Sequence, residues 1–216
     1  STPIKSSAAS DVYKRQAFGN SLLLAVIVTG IGLLICSIAG YAFVVFPSRG
    51  KEILFLALIA SMMVPFAAKI IPMFRMFSKM GLLNNYLAII LPAMFQPLGV
   101  FLIRQQIQDF PQETLEAARL DGASEYRIYR SIVKPNLSSA IAAALILIFI
   151  DNWNIVDQAV IFLREPYQQP LSVYLCQILE EQPDIFYAAS VFYAVPVLLI
   201  FLMGPVSYTH LTLPTT

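Results

Sequence analysis

A cluster of polar side chains interrupts an otherwise apolar segment near residue 150. Its members are carboxylates, amides and one indole: Asp151, Asn152, Trp153, Asn154, Asp157 and Gln158. Carboxylates and amides bind hydroxyl groups, and an aromatic face suits a sugar ring. In a helix, Asp151, Asn154 and Gln158 would share one face. We expect Asp151, Asn152, Trp153, Asn154 and Gln158 to line a solute pathway. The alternatives are polar contact with another subunit and an aromatic anchor at the outer membrane interface.

A second informative stretch, Pro111–Pro135, is charged and reads PQETLEAARLDGASEYRIYRSIVKP. Pro111 suits the first turn of a helix, and Leu115, Ala118 and Leu120 are expected to form its narrow apolar strip. Gly122 can adopt the left-handed conformation that ends this helix. Ser124 can cap a second short helix, which Pro135 is expected to stop. The stretch therefore predicts a compact pair of helices with a turn between them.

The elements around these two stretches are long and apolar. Since about 20 apolar residues cross a membrane, we predict five spans; they lie within 18–45, 53–74, 86–103, 137–163 and 185–206. Gln96, between two prolines of the third span, is a weaker candidate for lining a pathway. In the first span, Gly32, Cys36 and Gly40 are four residues apart, which predicts a seam for close helix packing.

Loop charges predict the orientation of the spans. Positive residues are concentrated in 47–52 and 104–135, namely Arg49, Lys51, Arg104, Arg119, Arg127, Arg130 and Lys134. The opposite side receives Arg75, Lys79 and Arg164. Because cytoplasmic loops carry the excess of lysine and arginine, 104–135 is expected in the cytoplasm.

Composition excludes several other classes of protein. The sequence is 58% hydrophobic and 12% charged, which favours lipid as the solvent. A net charge of +1 gives no basic field for nucleic acid, and two cysteines and one histidine give neither a disulfide framework nor metal-ligand spacing. The sequence contains no glycine-rich phosphate loop, metalloprotease motif or nucleophile elbow, so we expect no catalytic residues, no metal and no ATP binding in this chain. An intramembrane enzyme is disfavoured because Asp151 and Asp157 fall on different helical faces.

The charged stretch resembles the EAA loop of ABC-importer permeases. The family pattern is EAA, three residues, Gly, nine residues, Ile, any residue, Leu-Pro; here it is Glu116-Ala117-Ala118, Gly122, Ile132 and Lys134-Pro135. Lys134 departs from the family leucine. The segments Asn20-Ser21, 39–43, 81–85 and 149–154 look like the sugar-transport, maltose-permease-like branch. By resemblance, the loop is the coupling helix for an ATP-binding subunit, through Glu116, Ala117, Ala118, Leu120, Asp121 and Gly122.

The resemblance implies an all-α, polytopic helical bundle with the type I ABC-importer permease fold, five spans of an expected six being present. It implies import of a carbohydrate by alternating access, as a multi-pass protein of a bacterial or archaeal cytoplasmic (inner) membrane. Its partners would be a second permease subunit, two ATP-binding subunits that hold ATP and Mg²⁺, an extracytoplasmic solute-binding protein and the lipid bilayer. We expect 17–206 to be the transmembrane domain, with the coupling loop at 104–135, and 1–16 and 207–216 to be non-native or disordered tails. Import of another solute, such as an amino acid, and a stand-alone channel or scaffold are the alternatives.

Overall fold

A computed structural model describes the backbone of residues 7–46, 48–181 and 183–209, and the side chains of 13–46, 48–179 and 186–202. Every regular element in these residues is helical. The α-helices are α1 (Ser7–Val45), α2 (Lys51–Met62), α3 (Phe66–Lys79), α4 (Leu87–Ala93), α5 (Pro97–Gln108), α6 (Gln112–Leu120), α7 (Glu125–Ile128), α8 (Lys134–Asn136), α9 (Ser138–Trp153), α10 (Asp157–Phe162), α11 (Leu171–Glu181) and α12 (Pro183–Thr209). A π-helical turn, Tyr129–Val133, joins α7 to α8, and a 3₁₀ turn, Pro166–Gln168, precedes α11.

The five apolar segments are helical, but two are not the straight spans expected. Within the described residues, Tyr13–Val45 and Leu87–Gln108 are long and apolar enough to cross a membrane, and up to four spans result if two bent helix pairs each count as one. The expected span 53–74 is instead α2 and α3, which meet at 100°. Pro65 lies at this break, directly before α3. Proline has no backbone N–H, so it cannot donate the hydrogen bond that would continue α2.

The second bent segment joins the charged stretch to the expected span 137–163. The helical segment that carries Pro135 runs from α7 through the π turn and ends at Asn136, before α9 begins at Ser138, as predicted. Lys134 N donates to Tyr129 O, five residues earlier, and a local π turn of this kind accommodates a proline within a helix. The chain then bends by 77° into α9, which ends at Trp153, so 137–163 is not one helix.

The helices divide into two compact units. Unit 1 comprises Ser1–Gly30, Pro65–Met94 and Phe149–Ile200, and unit 2 comprises Ile31–Val64, Phe95–Ile148 and Phe201–Thr216. In unit 1, Trp153 is fully buried and stacks on Phe149 at a centroid distance of 5.7 Å. A second cluster of unit 1 is centred on Leu24, Ile89 and Leu163.

Unit 2 confirms the predicted packing seam on α1. Gly32 and Cys36 are buried, and the Cys36 thiol donates to the Gln96 carbonyl oxygen at 3.3 Å. A Cβ atom at Gly40 would lie 2.7 Å from Ile103 Cγ2 of α5. The missing side chain therefore lets α1 and α5 approach closely.

An arginine joins α5 to α2 in the same unit. Arg104 is 8% exposed, and its Nη2 donates to Glu52 Oε2 at 2.6 Å. Its guanidinium carbon also lies 3.7 Å from the centroid of the Phe55 ring. The charge is thus paired on one side and covered by an aromatic face on the other.

Candidate functional site

The charged stretch folds as the predicted helix–turn–helix. Helix α6 ends in a Schellman motif: Ala123 N donates to Ala118 O at 3.0 Å, and Gly122 N donates to Arg119 O at 3.0 Å. Gly122 has a φ of 79°, the left-handed conformation expected for it. Ser124 Oγ then accepts from Arg127 N at 3.4 Å and caps α7, as predicted.

The two faces of α6 differ sharply. Leu115 and Ile128 of α7 are completely buried, and half-buried Ala118 packs against the same cluster. Leu120, expected in this strip, is instead 89% exposed. Its position is five residues beyond Leu115, about 140° around the helix, so it points to the opposite side.

The exposed face of α6 combines small, apolar and acidic groups. Glu116, Ala117, Leu120 and Asp121 are exposed, and so is Gly122 in the turn. A short side chain at Ala117 beside a protruding Leu120 offers a shallow apolar surface flanked by carboxylates. Such a surface can receive a partner protein.

Sequence reasoning missed a polar network beneath this face. Glu125, the first residue of α7, accepts from Arg119 Nε at 2.7 Å and from Tyr41 Oη at 2.6 Å. The Arg119 hydrogen bond, followed by that from Tyr41, holds the pKa of the Glu125 carboxyl below its usual value. The same carboxylate in turn raises the pKa of Arg119. Tyr41 is 84 residues away in sequence, so local spacing could not reveal the contact.

The second candidate site, 151–158, is divided by the end of α9. Helix α9 stops at Trp153 and α10 begins at Asp157. The continuous helical face expected to carry Asp151, Asn154 and Gln158 is therefore not formed. Asp151 and Asn154 are exposed, whereas Asn152 is 4% exposed. Gln96 precedes α5 and belongs to unit 2, whereas residues 151–158 belong to unit 1.

Trp153 is held by reciprocal hydrogen bonds with α12. Its Nε1 donates to the Tyr193 carbonyl oxygen at 3.1 Å, and Tyr193 Oη donates to the Trp153 carbonyl oxygen at 2.8 Å. Tyr193 Oη also lies 2.9 Å from Asn154 Oδ1. Because its indole is fully buried, Trp153 orders the end of α9 and presents no open face to a sugar ring.

Gln158 offers an unused polar atom in the same unit. Its Oε1 is buried and has no hydrogen-bond partner among the described residues. A buried amide oxygen without a partner is costly, and a solute hydroxyl would satisfy it.

Two polar residues in the N-terminal half of α1 are hydrogen-bonded to the loop before α11 and to the first residue of α11. Asn20 Nδ2 donates to the carbonyl oxygen of Tyr167 at 2.8 Å and of Gln169 at 3.1 Å. Ser21 Oγ accepts from Leu171 N at 2.8 Å. Asn20 and Ser21, at the start of the apolar run, thus bond α1 to this loop and to α11, a role that their positions in the sequence did not predict.

Comparison with known proteins gives consistent matches. The profile of the family described as "Binding-protein-dependent transport system inner membrane component" matches residues 32–212. The arabinooligosaccharides transport system permease protein AraQ of Halalkalibacterium halodurans is 34% identical over 188 residues, which are 86% of this chain and 67% of AraQ. The lactose transport system permease protein LacG of Rhizobium radiobacter is 39% identical over 137 residues, and the match spans half of its length.

A solved structure has the same fold. It is a bacterial ABC transporter involved in the import of the acidic polysaccharide alginate, and it superimposes with a TM-score of 0.79 at 23% identity. The match covers 93% of this chain and 76% of the transporter chain. This chain therefore shares its helical fold with a chain of that transporter.

Proposed function

The chain belongs to the family of inner membrane components of binding-protein-dependent transport systems, and on this premise we propose that it is the membrane-spanning permease of an ATP-driven carbohydrate importer. The observation that carries the proposal is the exposed face of α6, defined by Glu116, Ala117, Leu120 and Asp121. It includes Glu116 and Ala117 of the EAA motif, and hydrogen bonds cap both sides of the turn that follows it. The sugar-permease names of AraQ and LacG support the choice of solute.

The mechanism follows from one docking surface and one solute pathway. ATP-binding subunits would receive α6 in a groove, and their closure on ATP and Mg²⁺ would move the coupling loops of two permease subunits. A solute-binding protein would deliver the sugar from outside the membrane. We expect the purified chain to show no ATP hydrolysis of its own, and turnover by an ATPase-free preparation would contradict this.

Replacing Ala117 with tryptophan tests the docking surface. A bulky indole on a close contact costs about 1–3 kcal/mol, or roughly a fivefold to hundredfold loss of affinity for the ATP-binding subunit. Ala118→Trp should act on docking and fold together, because Ala118 packs against the unit 2 core. Ala57→Trp, at an exposed alanine of α2, is the matched control.

Co-purification of the ATP-binding subunit gives the result directly. We expect Ala117→Trp to lose the subunit while the permease itself is still recovered, and Ala57→Trp to retain it. Full complex yield and full uptake in Ala117→Trp would remove α6 from the coupling role.

We propose that the exposed side chains of Asp151 and Asn154, together with the buried Oε1 of Gln158 that has no partner among the described residues, contact the solute in unit 1. Their hydrogen-bonding chemistry suits hydroxyl groups. Asp151→Ala should lower uptake in the co-expressed transporter without lowering complex recovery, and Asp109→Ala, an exposed carboxylate beyond α5, is the control. Loss of complex recovery would make Asp151 a contact between subunits, and unchanged uptake would remove it from the pathway.

The class of solute is tested by an uptake panel. Vesicles containing the assembled transporter should take up at least one of raffinose, lactose and arabinotriose in the presence of ATP. Glutamine is the comparison, because an amino-acid importer is the alternative within the same family. Uptake of glutamine without any sugar would overturn the carbohydrate assignment and leave the permease assignment intact.

A further inference from the structure

The C-terminal part of α1 carries two buried polar side chains on one face. Ser37 and Tyr41 are four residues apart, one helical turn, and each is 5% exposed. Ser37 Oγ is hydrogen-bonded to Tyr129 Oη in the π turn, and Tyr41 Oη donates to Glu125 Oε2 at 2.6 Å. The two tyrosine rings also pack together, with centroids 5.3 Å apart. Both contacts therefore fix α1 to the helical segment that follows the coupling loop.

Glu125 uses its two carboxylate oxygens for two different helices. Oε2 accepts from Tyr41 of α1, and Oε1 accepts from Arg119 in the last turn of α6. Helix α6 carries the exposed docking face. A single carboxylate thus bonds the docking helix to the first transmembrane helix.

Apolar packing already holds these helices together. Leu115, Ile128 and Val133 are buried in the same core cluster as Tyr41. Such packing is non-directional, whereas hydrogen bonds to a carboxylate depend on angle and register. Arg119 and Glu125 are each more than a third exposed, and exposed pairs of this kind add little stability. The hydrogen bonds among Tyr41, Glu125 and Arg119 are therefore expected to set the orientation of these helices rather than to add much stability.

We propose that Tyr41 and Glu125 are positioning residues that fix the orientation of the α6–α7 pair relative to α1, so that displacement of the docking helix is passed to the transmembrane helix. This inference rests on the proposed function, because it assumes that a partner subunit displaces α6. Neither residue lies on the docking face, and each acts through another helix. The removal of a single hydroxyl from Tyr41 should therefore loosen coupling while the docking surface is kept.

The first test is spectroscopic and needs no transported solute. Nitroxide labels are attached to Ile38→Cys on α1 and Tyr126→Cys on α7, which are 53% and 70% exposed. Exposed Cys176 is first replaced by serine, and Cys36 is buried from the reagent. Pulsed electron paramagnetic resonance on the purified complex then gives the distribution of distances between the labels. Tyr41→Phe should broaden this distribution, and Glu125→Gln, which also weakens the bond from Arg119, should broaden it at least as much.

The second test measures coupling in the assembled transporter. With the sugar that the uptake panel identifies, Tyr41→Phe should lower the solute transported per ATP hydrolysed by about tenfold, the lower range expected for a hydrogen bond to a charged group. Tyr187→Phe, at a tyrosine of α12 that is 70% exposed, is the matched control. Complex recovery should stay at the wild-type level in both variants.

The outcomes separate this inference from the function beneath it. An unchanged distance distribution in Tyr41→Phe and Glu125→Gln would overturn the positioning role, even in a fully active importer. Loss of complex recovery in Tyr41→Phe would also overturn it, by making the network a requirement for folding. Failure of the wild-type complex to take up any solute would instead refute the proposed function, and the distance measurement would be unaffected.

Discussion

Replacing Gly40 with alanine tests the close packing of α1 against α5. The new Cβ would lie 2.7 Å from Ile103 Cγ2 and 3.1 Å from both Ile103 Cβ and Arg104 N. Carbon atoms pack best at about 3.5–4.0 Å, so α5 would have to move by roughly 1 Å. Rotation of Ile103 cannot relieve the clash, because its χ1 is restricted and the Arg104 atom belongs to the backbone.

The expected cost follows from two opposing terms. Overpacking costs about 1–3 kcal/mol, and alanine gains about 0.5–1 kcal/mol over glycine within a helix. The net loss of stability should therefore be up to about 2.5 kcal/mol, or up to roughly 10 °C in melting temperature for a chain of this length.

Thermal unfolding in detergent, followed by far-ultraviolet circular dichroism, measures this loss. Gly30→Ala is the matched control, because a Cβ at Gly30 on the same helix meets no atom of the described residues within 4 Å. The control should melt at or slightly above the wild-type temperature. If Gly40→Ala melts as high as Gly30→Ala, the close approach of α1 and α5 is refuted.

Three further predictions concern single contacts, each read from thermal melts of the purified protein. Asn84 has a φ of 60°, and its Oδ1 accepts a hydrogen bond from Arg164 N at 2.8 Å. Asn84→Ala should therefore lose about 1–2 kcal/mol of stability and melt below Asn84→Gly, because glycine tolerates that φ. The reverse order of melting temperatures would contradict the reasoning. Tyr193→Phe removes the donor to the Trp153 carbonyl oxygen and should cost about 0.6 kcal/mol, up to roughly 2 kcal/mol; a melt equal to wild type would make that bond energetically neutral. Because an arginine hydrogen bond lowers the pKa of Glu125, the stability it contributes is present above its unfolded pKa of about 4.3 and is lost as pH falls through the lower folded pKa. The melting difference between wild type and Glu125→Gln should therefore hold at neutral pH and vanish in acid, and a difference that grows in acid would reverse the sign we assign.

Local signals in the sequence were sufficient to predict the turn between α6 and α7. Gly122 and Ser124 carry conformational and hydrogen-bonding preferences that act over three or four residues. The seam at Cys36 and Gly40 was predictable for a similar reason, since small residues at helical spacing permit close approach wherever a partner helix lies. The orientation of Leu120 was not, because an apolar residue suits either a buried strip or a docking face.

The breaks in the helices depended on context that the sequence pattern lacks. Pro65 ends a helix with a 100° bend, whereas Pro135 is accommodated by a π turn, although both are prolines in apolar surroundings. The end of α9 at Trp153 has no proline or glycine to announce it. The Tyr193 hydroxyl on the carbonyl oxygen of Trp153 comes from 40 residues away, beyond any local pattern.

Because Trp153 is completely buried, its fluorescence can be used to follow the packing of unit 1. It is the one tryptophan of this sequence, so indole emission from the chain has a single origin. The indole ring is shielded from solvent, stacks on Phe149 and donates a hydrogen bond to the Tyr193 carbonyl oxygen. Its fluorescence emission should therefore lie at short wavelength and resist quenchers dissolved in water. Any rearrangement that parts α9 from α12 would wet the ring and move the emission to the red. Tryptophan fluorescence therefore reports on the contact between α9 and α12 without an added label.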